Sequence, residues 1–116
     1  MAGIVGIRTY IEKASLKTIV AFLNTDGGDL LIGVADNKEI RGIDHEIEKL
    51  YKSNEDKYLL HFKNKIRSAI GEQYYPLIEY NIAVVGGRKL LWIKCRRSDS
   101  PCYFEGNEFY VRTNPA

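Results

Sequence analysis

Arg88, Lys89, Lys94, Arg96 and Arg97 crowd a ten-residue stretch that contains no acid and has Trp92 among them. That combination suits a polyanion. Clustered cations release the counterions condensed on a phosphate backbone, and an aromatic side chain in their midst can stack on an exposed base. Arg112, two residues after Tyr110, extends the same character towards the C-terminus. A second basic strip lies further upstream, where Lys57, His61 and Lys65 recur four apart, flanked by Lys63, Asn64 and Arg67, again without an acid. The competing explanations are ordinary ones. A helix can be basic on its solvated side, Trp92 can pack under a helix, and arginines can keep a strand end soluble. The residues fit nucleic acid as the partner without by themselves setting those ordinary explanations aside. Nothing in them separates DNA from RNA, since no pattern specifies base edges or a 2′-hydroxyl.

The net charge of +2 conceals an uneven distribution. Residues 26–56 hold nine acids against four bases, a balance of −5, whereas residues 57–97 hold nine bases against two acids, a balance of +7. Such asymmetry fits a polyanionic partner. Other chemistries find less to work with. Cys95 and Cys102 are the only cysteines, they form no C-x-x-C pair, and only His45 and His61 could join them at a metal. Two ordinary thiols in a reducing compartment, with no metal, are therefore expected. Gly27-Gly28 precedes a strand, whereas a phosphate-binding loop follows one and opens a helix, so no nucleotide cofactor is expected. No apolar run approaches the ~18 residues of a membrane span. Met1 to Gly6 also lacks the basic and apolar regions of a signal peptide. These absences lead to the expectation of a cytoplasmic protein with no membrane partner. At 116 residues it reads as a single domain, 1–116, large enough to bury a core, with either a whole protein or a domain cut from a longer one as the expectation.

The elements that must position these residues follow from periodicity. Leu16, Ile19, Val20 and Leu23 form one apolar stripe at helical spacing. Asn24-Thr25-Asp26-Gly27-Gly28 then stops the helix, because Asn and Gly tolerate left-handed backbone. Leu30 to Ala35 is a continuous apolar run, which implies a central strand covered on both faces. Gly33 within it marks the close approach of another backbone or of a ligand. A turn at Asp36 to Glu39 leads to a short partner strand, Ile40 to Ile43. Residues 44–54 admit either a loop or a ragged helix. Ser53-x-x-Asp56 opens a second helix whose buried face is Leu59, Phe62, Ile66, Ala69 and Ile70. After Pro76, Ile78 to Val84 alternates as a strand, and Gly86-Gly87 is a hairpin turn. The next strand, Lys89 to Cys95, puts Leu91, Ile93 and Cys95 on one face and Leu90, Trp92, Lys94 and Arg96 on the other. Tyr103-Phe104 and Phe109 to Val111 flank a last turn. The whole is α+β, a mixed and mostly antiparallel sheet with two helices packed on it.

Ala21 to Gly28 (AFLNTDGG), Ile32 to Asp36 (IGVAD), Gly42 and the closing Phe109-Tyr110-Val111-Arg112 resemble the Alba-like DNA-binding domain found in Schlafen proteins and many prokaryotic regulators. The resemblance runs from about Leu16 to Pro115. It implies an Alba-like layout, a DNA-binding role in a regulator, and pairing into a homodimer. It also raises a second activity, because Schlafen-type ribonucleases use three carboxylates to hold a divalent metal that activates water. Asp36 matches the third of these acids. The other two belong to an upstream Glu-Phe-Lys-type strand motif, and residues 3–8, Gly-Ile-Val-Gly-Ile-Arg, which read either as a first strand or as part of a truncated start, do not carry it. Glu12 is the only acid before Asp26 and falls in the predicted helix. One carboxylate cannot build that site, so a non-catalytic binding domain is expected, ahead of a metal-dependent ribonuclease and of a plain interaction module.

Overall fold

In the computed structural model, described over residues 2–5 (backbone alone), 13–35 and 37–112, a four-stranded sheet carries the helices on one face. Strand β1 (Ala2–Val5) leads through helix α1 (Lys13–Leu23) to β2 (Gly28–Ile32), which lies parallel to β1. Helices α2 (Asp44–Tyr51) and α3 (Glu55–Ala69) and a 3-10 turn (Glu72–Leu77) precede the hairpin of β3 (Ile78–Val85) and β4 (Arg88–Cys95). The sheet order is β1-β2-β4-β3, with β4 antiparallel to both of its neighbours. A separate two-stranded hairpin, β5 (Tyr103–Phe104) and β6 (Glu108–Phe109), closes the chain. The sheet is thus mixed and mostly antiparallel, and the fold is α+β.

The period of two along β4 decides which face is which. Leu91, Ile93 and Cys95 are buried with Leu30 and Ile32 of β2 against Leu16, Ile19, Val20 and Leu23 of α1 and Phe62 and Ile66 of α3. In α3 the fully buried residue of the first turns is Tyr58, while Leu59, expected in the core, is only partly covered. The helix is capped by Asn54, whose Oδ1 accepts the Lys57 N–H at 3.1 Å. Ser53, expected to open the helix, lies one residue too early and at φ 62°. Residues 44–51, where the pattern admitted a loop or a ragged helix, form the short helix α2, which brings the α-helices among the described residues to three.

β2 is central, as its apolar run implies, but it ends at Ile32 and only one of its faces is covered by the helices. Gly33 explains the ending. Its φ of +109° strains any residue with a side chain, and a Cβ there would crowd Leu90 Cδ2 at 3.2 Å. Its carbonyl accepts the N–H groups of both Arg41 and Gly42, at 2.9 and 2.8 Å. The expected return strand over 40–43 is accordingly a single bridge, Val34 to Ile40. The chain then crosses to β4, where Ile43 N–H donates to the Lys89 carbonyl at 2.7 Å.

Candidate nucleic-acid interface

Because strand residues advance about 3.4 Å each, cations adjacent in sequence are drawn out along β4 rather than gathered. Arg88 and Arg96 lie roughly 27 Å apart on that rise. At the Arg88 end, the guanidinium donates from Nη1 to the Arg41 carbonyl at 3.1 Å. It borders a cleft of about 540 Å³ shared with Arg41, Asp44, His45 and Glu48. Lys89 pairs with Glu55 at the start of α3, and that hydrogen bond raises the ammonium pKa above its ordinary value. The Lys89 N–H donates to Asp44 Oδ1 at 3.0 Å.

The middle and far end of β4 differ. Trp92 is 42% exposed on the face away from the helices, in register with Leu31 of β2 and Asn81 of β3. The next row on that face is Asp29, Lys94, Glu79, a cation between two carboxylates. Trp92, Lys94, Glu79 and Asn81 line a shallow groove of about 210 Å³. One more step brings Arg96, which donates from Nη2 to the Pro76 carbonyl at 2.9 Å. Arg97 follows, exposed and without an ion pair to any described residue. Arg112 comes to the same end of the sheet by another route. Its guanidinium lies 5.0 Å from the Phe22 ring centroid, and that ring abuts Gly28, the register partner of Cys95. Lys94, Arg96, Arg97 and Arg112 are therefore brought towards one end of the molecule and Arg88 and Lys89 towards the other, with Trp92 midway along β4.

The second strip belongs to the helical layer. Lys57 and Lys65 are exposed on α3, and Arg67 pairs with Glu72. His61 is held below its ordinary pKa by partial burial and by Lys65, and its ring lies 5.8 Å from that of Tyr51.

Residues that sequence reasoning assigned only to a helix stop form the joint behind this end of the sheet. Asn24 Nδ2 donates to the carbonyls of Cys102 and Tyr110, at 2.8 and 2.9 Å, and its Oδ1 accepts the Cys102 N–H at 2.7 Å. Thr25 Oγ1 donates to the Ala21 carbonyl at 2.5 Å and accepts the Arg112 N–H at 3.0 Å. Gly27, at φ +77°, sits where a Cβ would come within 2.5 Å of the Cys95 carbonyl. The segment AFLNTDGG therefore ties α1, β4 and the final hairpin together and sets where Arg97 and Arg112 emerge.

The family model described as Schlafen, AlbA_2 matches residues 7–116, nearly the whole chain. The chain belongs to that Schlafen AlbA_2 family. Its fold recurs in the solution structure of the N-terminal domain of an ATP-dependent DNA helicase RecG-related protein from Nitrosomonas europaea. For that protein, whose own description as an ATP-dependent DNA helicase is provisional, the TM-score is 0.62 at 20% identity, over 99% of this chain and 79% of that one. It recurs also in the DIP2311 protein from Corynebacterium diphtheriae, with a TM-score of 0.57 at 17% identity. That match covers 89% of this chain but 17% of the other, so this domain corresponds to a small part of that protein.

Asp36 of the family pattern lies outside the described residues, as does Glu12. Among the described residues no three His, Cys, Asp or Glu side chains converge to hold a metal ion. Cys95 and Cys102 are free and buried. Burial pushes their thiols up to about 12 and about 11, which keeps both protonated and unreactive at neutral pH. No described helix is long and apolar enough to cross a membrane.

Proposed function

We propose that this Schlafen AlbA_2 domain binds nucleic acid, without catalysis of its own, through the open face and far end of β4. What carries the reading is Trp92, a large aromatic left 42% exposed on the face that the helices leave free and followed at two-residue steps by Lys94 and Arg96. Trp92 offers a base a stacking surface, Arg96 offers phosphates positive charge with Lys94 contributing less from between Asp29 and Glu79, and Arg97 and Arg112 extend that charge past the strand end. Arg88 and Lys89 stand at the opposite end beside Asp44 and Glu55, where they make a weaker contribution. Lys57, Lys65 and Arg67 form a separate basic strip on the helical layer.

The test is fluorescence anisotropy of labelled oligonucleotides at low salt. Trp92→Ala and Lys94→Glu each weaken binding to every sequence tried, Trp92→Ala by about 5- to 100-fold if one base is stacked. Affinity unchanged in both variants would refute the surface.

The free edge of β3 favours a second reading, a homodimer. β3 ends the sheet order, and Val84 and Val85 at its far end are 66% and 43% exposed. An uncovered apolar edge invites another strand. A concentration-dependent mass without any oligonucleotide shift would favour that reading.

A further inference from the structure

Beyond the β3 border, the helical layer and the 3-10 turn enclose a cleft of about 360 Å³. Half-buried Tyr75 and exposed Pro76 form its floor, and Lys63 and Arg67 of α3 form its wall, with Glu72 beside Arg67. The Lys63 ammonium lies over the Tyr75 ring, 5.8 Å from its centroid. Behind, the Tyr75 hydroxyl shares a hydrogen bond with that of Tyr80, whose ring packs edge-on against Phe62 in the core at 4.7 Å between centroids. The Tyr75 ring is thus anchored from within and cationic at its rim. Arg96 joins this cleft to the open sheet face, because its guanidinium bonds the Pro76 carbonyl.

These positions bear on the form of the ligand. Trp92 and Lys94 are exposed on the open face, Pro76 and Arg96 are exposed at the border, and half-buried Tyr75 and Lys63 line the cleft on the helical side. The Cα envelope measures 19 Å in its thinnest direction. A duplex is stiff over about 150 base pairs and lies along one face, whereas an unpaired strand can turn round such an edge. We propose that the domain holds an unpaired nucleic-acid strand led round the β3 border, one base on Trp92 and another on Tyr75, with phosphates between them on Arg96 and Lys63. A phosphate drawn to Lys63 lifts the ammonium from the Tyr75 ring and leaves that face to the base. The inference rests on the nucleic-acid reading above and adds a second stacking site and a ligand class.

The experiment compares labelled oligothymidine, oligouridine and a DNA duplex of the same length on the full chain, with Tyr75→Ala, Tyr75→Phe and Trp92→Ala variants whose folding is checked by circular dichroism. The unpaired strands bind more tightly than the duplex. Tyr75→Ala lowers their affinity by about 5- to 100-fold, and Tyr75→Phe, which loses only the hydroxyl bond, keeps it. The tighter of the two unpaired probes identifies the strand as DNA or RNA. Duplex binding as tight as single-strand binding, or a folded Tyr75→Ala variant with unchanged affinity, would overturn the proposal. If Trp92→Ala still weakens binding in that case, the surface on β4 stands and only the second site falls. No binding by any probe would overturn both.

Discussion

Asn24 holds three backbone groups of the final segment with one amide, which makes it the residue whose loss is felt most widely. Asn24→Ala leaves partly buried donors and acceptors unpaired and should cost about 2–4 kcal/mol, seen as a lower midpoint in denaturant unfolding. A midpoint within error of the parent would mean that the clamp contributes nothing. Those partners lie 78 and 86 residues away, so no local pattern could have announced them; the helix-stop reading placed the end of α1, but the left-handed backbone falls at Gly27 and not at Asn24, and the reading was silent about the amide. Cys95 makes a prediction in pH. Its folded pKa is raised from 9.0 to about 12 by burial. The stability this contributes is therefore fully present below pH 9 and is lost as pH rises towards 12. Unfolding midpoints should fall over that window, and Cys95→Ala should reduce the fall. An unaltered alkaline profile in the variant would show that the thiol plays no part.

At the scale of elements, β4 was the most legible stretch, because a period of two separates Leu91 and Ile93 from Trp92 and Lys94 without further information. Distance along it was less apparent: five cations close in sequence become two groups at opposite ends of a strand. The helix start at Asn54 was missed by one residue because Ser53 and Asn54 are both good caps, and only the hydrogen bond to Lys57 N–H separates them. Asn54→Ala is expected to cost about 1 kcal/mol, measurable as a shifted denaturant midpoint, whereas Ser53→Ala should leave it nearly unchanged. The reverse ranking would restore Ser53 as the cap. Tyr58 escaped notice for a different reason. Its hydroxyl suggests an outer face, yet the ring is fully buried, and desolvation, then Glu46, raises its pKa. α2, which carries Glu46, has too short an apolar pattern to declare itself before α3 and β4 cover it.

For the whole molecule, the charge asymmetry legible in residues 57–97 is distributed over two faces, and the border at Pro76 and Arg96 is where they meet. Family membership adds the question of catalysis. With Mn²⁺ or Mg²⁺ the domain is expected to leave structured RNA intact, and cleavage abolished by Asp36→Ala would replace the binding account with a nuclease one. The most direct test of the central claim, that cations at the far end of β4 neutralise phosphates, is the salt dependence of binding. For a single strand the logarithm of affinity should fall with that of salt concentration by about 0.7 per neutralised phosphate. Reversing Arg96 and Arg97 to Glu should weaken binding to every sequence and flatten that slope by about 1 or more. A variant with the parent's affinity and slope would contradict the account and remove this surface from contact with nucleic acid.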